Sequence, residues 1–512
     1  MRPRRNYTTI KAMATLKQII EIRLKKRKIL KEQKREPYPI FTKTTHSAAQ
    51  ALVEYSVLAK QKKSVKLAGR VMSFRTHGGL SFSELRDSSG AVQIAFRKDA
   101  LGKSKYEELA EILDVGDFIE VTGTMFKTKR GQITLDTRNF KIIAKSLRPL
   151  PEKWHGLKDV EQRYRKRYLD ILMNEDARHI FETRSMLVTQ LRDFMNKNGF
   201  MEVETPILQN IPGGATAKPF KTHLNAFNMD MYLRVSPELY LKRLLVGGFD
   251  KVYELGTCFR NEGVDYAHNP EFTMLEFYWA YSDYKKGMKL TEKLLSHIVK
   301  KIVGKNKFEY LPFPLADNLK KKGMEVDFTT PWDRIEFSEL LQKYAGIKYD
   351  DYDLNSLKKK ATELGVEISK NAHSKSEVAD AIYKKYCMPK IKNPTFVIHH
   401  PVEMLPLAKP LESNPQYAAS FQVIAAGWEL VKGYSELNDP VLQKEFLQDQ
   451  EKLRKKGDDE AQHMDEDFVE ALEYGMPPAF GFGMGIDRLT AFLTNSHALR
   501  EVKLFPTMRP KE

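Results

Sequence analysis

The stretch Tyr253–Tyr284, YELGTCFRNEGVDYAHNPEFTMLEFYWAYSDY, decides the fold of the larger part of the chain. A strand-like segment enters a polar turn and a second strand returns, which predicts an antiparallel hairpin. An arginine leaving a strand suits bidentate phosphate binding, and a nearby aromatic ring can stack on a base. Buried carboxylates need cationic partners. An ordinary hairpin would not need so many functional side chains: Arg260, Glu262, His268, Glu271, Phe272, Glu276 and Tyr278.

The composition around this hairpin limits the class of protein. The chain has 512 residues, 42% of them hydrophobic, and a net charge of +17, and a length of ~100–200 residues per domain predicts about three domains. No run of about 18 apolar residues is present, so we expect no membrane partner. The only cysteines are Cys258 and Cys387, which excludes a disulfide framework. We expect a cytoplasmic, globular, multidomain protein.

More than half of the positive charge lies at the N-terminus. Residues 1–36 contain thirteen Lys and Arg and three Glu, a net charge of +10. Apolar spacing predicts a basic amphipathic helix over 13–34, ended by Pro37 and Pro39. Such a segment usually binds a polyanion, most often nucleic acid. The alternatives are a solvated helix that only aids solubility and, less in keeping with its lysines and glutamates, a mitochondrial presequence.

Residues 64–146 contain five β-rich runs with a helical piece, about 104–113, between the third and fourth. This layout predicts an OB barrel, whose face binds single-stranded nucleic acid. Aromatic, cationic and amide groups lie on its strands, although strand alternation also allows about half of the phenylalanines to be barrel core: Phe74, Arg75, Phe82, Arg86 and Gln93.

The remaining chain mixes long helices with strands. The predicted organisation is a basic helical extension over 1–63, the OB domain over 64–146, a linker over 147–175 and an α+β domain over 176–512. A lysine-rich helical insertion, about 285–395, interrupts the last domain and contains none of the residues expected to do chemistry.

Three motifs in this body resemble those of a known family. FRNEG followed by HNPEFTMLEFY is similar to motif 2 of class II aminoacyl-tRNA synthetases, specifically the lysine enzymes. GFMEVETPIL, with Pro206, resembles motif 1, and GFGMGIDRL, with Arg488, resembles motif 3. The likeness covers nearly the whole chain. It implies an α+β fold, with an N-terminal OB-fold β-barrel and a class II catalytic domain built on an antiparallel sheet flanked by helices.

The resemblance also implies an activity. L-Lysine and ATP would give lysyl-adenylate, and the lysine would pass to the 3′ end of tRNA(Lys). Pro206 would lie in the interface of a homodimer. Other interpretations are a lysyl transferase to a protein or lipid acceptor, and a catalytically inactive or retuned paralogue that regulates by binding RNA. Retention of the phosphate-site residues disfavours the inactive paralogue.

The resemblance assigns the ATP site residue by residue. Arg260 corresponds to the arginine that holds the α-phosphate and the substrate carboxylate. Arg488 corresponds to the arginine at the γ-phosphate, which also covers one face of adenine while Phe272 stacks on the other. His268 would contact the phosphate tail, and Glu262 the adenine amino group. No general base is needed, since the nucleophile is already a carboxylate.

The lysine pocket and the metal site are implied in the same way. Gly214 belongs, with Gly213, to a mobile loop that closes over the amino acid, and the pocket lining would be Glu238, Glu276, Tyr278 and Glu436. Glu429 and Glu436 would hold Mg²⁺, up to three ions, although without the resemblance a solvated face is the favoured interpretation of this pair. In the barrel, Phe82 and Gln93 would recognise the central anticodon uridine, with Arg75 beside them.

Several positions depart from the family pattern. Lys432 stands where the family has Asn, Leu405 where it has Ser, and Ser420 and Gln422 where it has Arg and Glu. Gln132 replaces a glutamate in the barrel. For Lys432 three interpretations are open: it replaces part of the metal charge, it accompanies a retuned or non-lysine substrate, or its side chain points away from the site.

Overall fold

The structure is a computed structural model that describes residues 15–151, 157, 159–311, 323–368, 372 and 374–510. The chain divides into two compact units, Met1–Gly156 and Leu157–Glu512. Part of the predicted basic segment lies outside the described residues, including four of its thirteen cationic residues: Arg2, Arg4, Arg5 and Lys11.

The first unit is a closed five-stranded barrel with helices. Its strands run in the order β1-β2-β3-β5-β4, and two helices lie between the third and fourth strands, where the sequence predicts one helical piece. Along β2 buried residues alternate with half-buried ones, because successive side chains point to opposite faces. The elements are β1 (Ser64–His77), β2 (Leu80–Arg86), β3 (Ala91–Arg97), β4 (Phe118–Lys127) and β5 (Ile133–Ala144), with α1 (Leu16–Glu32), α2 (Ala48–Val53), α3 (Tyr55–Lys60), α4 (Lys98–Leu101) and α5 (Lys103–Ile112).

The basic helix α1 is packed onto this barrel through part of its charge. Arg23 is buried, and its guanidinium donates to the backbone carbonyl oxygens of Val115 at 3.1 Å, Ser146 at 3.0 Å and Arg148 at 3.1 Å. Lys26 forms an ion pair of 2.9 Å with Asp114. Other lysines of the segment are exposed to solvent: Lys17, Lys25, Lys28, Lys31 and Lys34. The segment is therefore partly structural and partly available for a ligand.

The second unit is built on an eight-stranded sheet in the order β14-β15-β16-β17-β18-β11-β10-β6. Neighbouring strands are antiparallel except for two pairs, β14 with β15 and β10 with β6. The strands of this unit are β6 (Met201–Glu202), β7 (Leu208–Gln209), β8 (Phe220–Leu224), β9 (Met229–Leu233), β10 (Lys251–Phe259), β11 (Glu271–Ala280), β12 (Lys307–Tyr310), β13 (Met324–Asp327), β14 (Asp333–Glu336), β15 (Thr395–Ile398), β16 (Ser420–Ala425), β17 (Trp428–Ser435) and β18 (Ala479–Gly485).

Helices cover one face of this sheet and form the main core with it. The rings of Phe277 and Phe482 stack at 4.4 Å between centroids, and leucines of α8, α10 and α16 join the same cluster. The helices are α6 (Val160–Arg165), α7 (Arg167–Met173), α8 (Glu175–Lys197), α9 (Glu238–Val246), α10 (Tyr284–Val303), α11 (Phe337–Ala345), α12 (Leu354–Glu363), α13 (Lys375–Ile382), α14 (Pro440–Lys455), α15 (Glu466–Glu473) and α16 (Ile486–Leu493). In the part of the chain that the structure describes, no helix is long and apolar enough to cross a membrane.

The predicted insertion, 285–395, is not set apart from this sheet. Leu294 and Leu295 of α10 are fully buried in the main core, and β14 and β15 are two of the eight strands. Helices α11 to α13 form a second apolar cluster. The lysine-rich pattern hid this role because the lysines of α10 lie on its outer face while its apolar stripe packs inward. The region also contacts a strand of the sheet through Tyr383, which donates a hydrogen bond of 3.3 Å to Gln422.

Candidate active site

The predicted hairpin is β10 and β11, and alternation separates its two faces. Leu275 and Phe277 point into the core, whereas Phe272, Glu276 and Tyr278 lie on the opposite face. Alternate positions of the neighbouring β18 on this second face are glycines, Gly481, Gly483 and Gly485, which leaves room for side chains of neighbouring residues to lie over the strand.

Arg260 and Phe272 meet where the hairpin strands end. The backbone N–H of Arg260 donates to the carbonyl oxygen of Pro270 at 2.9 Å, and the guanidinium carbon lies 5.0 Å from the centroid of the Phe272 ring. The Arg260 Nε is buried and has no hydrogen-bond partner among the described residues. A buried N–H without an acceptor is costly, so this guanidinium is suited to an anion.

His268 and Glu262 lie in the loop between these strands. His268 is exposed, and its Nδ1 lies 2.9 Å from a carboxylate oxygen of Asp265. Burial acts to raise the pKa of Asp265, but hydrogen bonds from His268 and from backbone N–H groups lower it overall. Glu262 is half-buried, and together with burial it raises the pKa of Glu460, which places these two carboxylates near each other.

Beside the glycine strand lies a pocket of three buried carboxylates, Glu238, Glu276 and Glu436. Each of these residues is at most 5% exposed. Lys242, which is fully buried one turn along α9, donates to Glu238 at 2.8 Å and also forms an ion pair with Glu436. Burial alone would lower the pKa of Lys242, but the two glutamates raise it above its ordinary value, so its ammonium stays charged.

Hydroxyl groups complete this pocket. Ser236 donates to Glu276 at 2.9 Å, and Tyr278 donates to the same carboxylate at 3.3 Å. The Tyr434 hydroxyl donates to Glu238 at 2.8 Å. Burial, reinforced by the charge of Glu238, raises the pKa of Glu276 to about 8. The pocket therefore has more carboxylates than internal cations and is suited to a ligand that carries ammonium groups.

Two glycines allow the backbone to approach these carboxylates. Gly214 has φ +86°, and a Cβ there would lie 2.9 Å from the Cβ of Glu238. Its N–H donates to the Gln462 side chain at 3.4 Å. A Cβ at Gly481 would overlap the Glu436 carboxylate and lie 2.7 Å from a ring carbon of Tyr278. No larger residue fits at either position without displacing a pocket group.

Glu429 and Lys432 lie on this same face because of a bulge. The register of β16 and β17 shifts between Val423 and Ile424, so that Ile424 pairs with Glu429 while Gln422 pairs with Lys432. Gln422 also donates to Glu429 at 3.3 Å. Bulges re-aim side chains next to active sites. The interpretation in which Lys432 points away from the site is therefore wrong, because it assumes unbroken alternation.

Arg488 reaches this corner from α16. Its Nη1 lies 3.8 Å from the Glu429 carboxylate. The Tyr383 hydroxyl, on the π-helical turn Tyr383–Cys387, donates to Gln422 at 3.3 Å. Burial lowers the pKa of Lys432, whereas Glu429 acts to raise it. The corner thus combines one carboxylate that is open to a ligand with two cationic side chains.

The carboxylates differ in how well they suit Mg²⁺. Mg²⁺ usually takes one or two protein carboxylates and fills its other positions with water and phosphate oxygens. Glu429 is half-buried and fits this role. Glu436 has its carboxylate already bound by the Lys242 ammonium, so it suits the amino-acid pocket better than a metal. No group of three or more ligating side chains that could hold a metal is found within the described residues.

The departures at Leu405 and Ser420 are buried. Leu405 packs with Ala408 and Ala418. Ser420 lies 3.5 Å from His400 Nδ1, and burial together with Lys432 lowers the pKa of His400 to about 3, which keeps this imidazole neutral. Cys258 is a buried strand residue whose thiol pKa burial raises to about 12.

The barrel brings its predicted residues to one face. Arg75 pairs directly with Phe82 across β1 and β2, and Glu84, two residues after Phe82, pairs with Gln93. The Gln93 side-chain oxygen accepts a hydrogen bond of 2.8 Å from Thr134, whose hydroxyl also contacts the backbone of Gln132 at 3.2 Å. Phe74 instead packs against the barrel core.

Comparison with known proteins matches both units. Residues 159–509 match the family described as tRNA synthetases class II (D, K and N), and residues 65–150 match the OB-fold nucleic acid binding domain.

The chain belongs to the class II tRNA synthetases.

Its relatives include proteins named lysine–tRNA ligase. It is 46% identical over 498 residues to that of Carboxydothermus hydrogenoformans, covering 97% of this chain and 99% of the relative. It is 46% identical over 501 residues to that of Pelotomaculum thermopropionicum, covering 97% and 96%. For Clostridium novyi the identity is 43% over 504 residues, covering 98% and 96%. The family and the α+β fold class predicted from the sequence are confirmed.

Sequence reasoning missed part of this synthetase's site. Lys242, Ser236 and Tyr434 contact the pocket carboxylates, yet none was predicted. The available signal was spacing: Lys242 follows Glu238 by four residues on a predicted helix, which places the two side chains on one face. The bulge that re-aims Glu429 has no comparable sequence signature.

Proposed function

We propose that the protein activates L-lysine with ATP to lysyl-adenylate and transfers the lysine to the 3′ end of tRNA(Lys). The observation that carries this proposal is the buried pocket of Glu238, Glu276 and Glu436 on the same sheet face as Arg260 and Phe272. The names of the relatives compared above agree with it.

Activation requires the lysine carboxylate to attack the α-phosphorus in line while pyrophosphate leaves. Negative charge grows on the phosphate oxygens, and preorganised cations stabilise it. Arg260 would hold the α-phosphate and the attacking carboxylate, with its buried Nε supplying a donor. Arg488 would hold the γ-phosphate, and adenine would lie between Arg488 and Phe272. His268 would contact the phosphate tail, and Glu262 the adenine amino group.

Mg²⁺ bound through Glu429 would neutralise the triphosphate and favour departure of pyrophosphate. The carboxylate of lysine is already ionised, so no residue of this chain has to act as a general base. Glu429 is held for its role by Gln422, and Gln422 in turn by Tyr383.

The pocket explains selection of lysine by charge. Burial raises the pKa of Glu276 and Glu436, so a cationic ligand is what favours their ionised form; with all three carboxylates ionised, they and the Lys242 ammonium would sum to a formal charge of −2. Lysine has two ammonium groups, one at the α-carbon and one at the side-chain end, which match that charge. An analogue without the terminal ammonium leaves a buried carboxylate unpaired, which is the strongest form of discrimination. The backbone at Gly214 and the ring of Tyr278 would enclose the substrate.

Binding of tRNA would use the first unit. Phe82 offers a stacking surface, Gln93 an amide for hydrogen bonding to the central anticodon base, and Arg75 a cation for the phosphate backbone. The exposed lysines of α1 lie in the same unit and extend its positive charge.

A homodimer is part of this proposal. Pro206 is exposed, and so are large apolar side chains near it in sequence, Met201 at 43%, Ile207 at 46% and Leu208 at 46%. Apolar residues that cluster on a surface favour a protein interface. Light scattering at micromolar concentration is expected to give twice the mass of one chain, and the mass of one chain would contradict the dimer.

The test is ATP–pyrophosphate exchange with each of the twenty amino acids, in the absence of tRNA. Exchange with lysine alone is expected. Exchange with a different amino acid would reject the lysine assignment. No exchange with any amino acid, together with retained tRNA binding, would favour a catalytically inactive protein that regulates by binding RNA. Exchange with lysine but no charging of tRNA would favour a transferase to another acceptor. Arg260→Ala is expected to abolish exchange while the protein stays folded.

A further inference from the structure

Lys432 occupies the centre of the site face but has no part in the activation step proposed for Arg260, Arg488 and Glu429. It pairs with Gln422 on one side and with Gly483 on the other, and Gly483 in turn pairs with Glu276. Gly483 has no side chain, and the space over it is shared by the side chains of Met274 and Glu276, which a Cβ there would meet at 3.3 and 3.9 Å. Lys432 therefore lies on the same face of the sheet as Glu276, and the charges of Glu429 and Arg260 both act on its ammonium.

The surroundings of Lys432 leave its charge without a close partner. Among the described residues no carboxylate lies within 4 Å of its ammonium. Glu429 and Asp380 act on it favourably from farther away, whereas Lys384 and Arg260 oppose it. A cation removed from water without a direct partner is costly unless a ligand supplies the opposite charge.

Neither of the two carboxylates that act favourably on Lys432 forms an ion pair with it. Glu429 is bound by Gln422 and lies beside Arg488. Asp380 forms an ion pair of 2.6 Å with Lys384. The missing counter-charge must then come from a ligand that is itself anionic and that reaches Arg260 and Lys432 together.

We propose that the Lys432 ammonium binds the ATP phosphates and supplies the positive charge that a second divalent cation would otherwise bring to this corner. This inference rests on the proposed function. A lysine can do this because its ammonium acts on phosphate as a compact point charge with three donors. Glu429 would then hold one divalent ion, and the Lys432 ammonium would lie beside that ion in place of a second divalent ion.

The test compares Lys432→Met with Lys384→Met in the full-length protein. Lys384 lies in the same neighbourhood, but it is exposed and paired with Asp380, so its substitution is a matched control. Binding of the non-hydrolysable nucleotide α,β-methylene-ATP is measured by calorimetry, and bound Mn²⁺ is counted by electron paramagnetic resonance. With Mn²⁺ equimolar to nucleotide, Lys432→Met is expected to bind at least about tenfold more weakly, the value of one charge-assisted hydrogen bond.

Excess Mn²⁺ is expected to restore the affinity of Lys432→Met and to raise the number of bound Mn²⁺ ions by one per site. Lys384→Met and Lys432→Arg should keep the original affinity and the original count. An unchanged count for Lys432→Met, with or without weaker binding, overturns the proposal. If Lys432→Met does not fold, Lys432→Gln removes the same charge and should show the same gain of one bound Mn²⁺ ion per site. If the unaltered protein binds no nucleotide, the proposed function itself fails.

Discussion

The basic helix α1 allows its structural and binding roles to be separated by two variants. Arg23→Met removes a guanidinium that serves three carbonyl groups, those of Val115, Ser146 and Arg148. A triple variant in which Lys25, Lys28 and Lys31 become Gln removes three exposed charges and leaves those hydrogen bonds intact.

The two variants are expected to change different quantities: Arg23→Met the free energy of unfolding, and the lysine variant the salt dependence of tRNA binding. A buried polar group that loses its partner costs about 1–3 kcal/mol, and breaking a buried charge network costs about 3–5 kcal/mol in total. Arg23→Met should therefore destabilise the first unit by about 3 kcal/mol. The lysine variant should leave stability unchanged, but each lost phosphate contact flattens the slope of log K against log salt by about 0.7–0.9. Three lost contacts would flatten it by about 2–3.

The assays are urea unfolding followed by circular dichroism and tRNA binding by filter retention between 50 and 300 mM salt. Lysine-dependent pyrophosphate exchange should be unchanged in the triple variant, since the helix belongs to the first unit. A triple variant that loses as much stability as Arg23→Met, or that keeps the full salt slope, would refute this division. Deleting the whole segment cannot make the distinction, because Leu30 is also part of the core of the first unit.

Two further predictions concern the amino-acid pocket. With a pKa of about 8, the Glu276 carboxylate is mostly protonated at pH 6. Lysine affinity measured by calorimetry should therefore rise by up to about tenfold per pH unit until pH 8 and then level off. Glu276→Gln should remove this pH dependence, and an unchanged profile in the variant would assign the pH effect to another group. Gly481→Ala places a methyl group on the Glu436 carboxylate and against Tyr278, so lysine binding should be lost while ATP analogue binding persists; normal lysine binding would show that the pocket adapts.

The sequence was sufficient to predict the structure where a periodic hydrophobic pattern and a local motif agreed. Five alternating strands with a helix after the third predicted the barrel, and a polar turn between two strand-like segments predicted the hairpin that brings Arg260 and Phe272 together. It was insufficient where side chains from distant segments meet. Arg23 looked like one of thirteen solvated cations, but carbonyl groups more than 90 residues away bury it.

A shift in strand register also limited what the sequence could predict about the site. Glu429 and Lys432 are three residues apart on a strand, which in an unbroken strand would place them on opposite faces. The bulge reverses that relation, and only the pairing partner on β16 determines it. The insertion was misjudged for a similar reason, since its lysines describe only the outer face of α10 and say nothing of the strands that complete the sheet.

The glycines of β18 have a consequence for how this enzyme can acquire a new substrate. Gly481 and Gly483, the floor of the site, have no side chain that mutation could trim or recharge, and a Cβ there would press on Glu436 and Tyr278 or on Met274. Changes of specificity must therefore come from the walls on β11, β16 and β17. Gln422 and Lys432, two of the departures that alter charge, are both wall positions. An experimenter who wishes to redirect the enzyme should randomise those strands and leave the floor untouched.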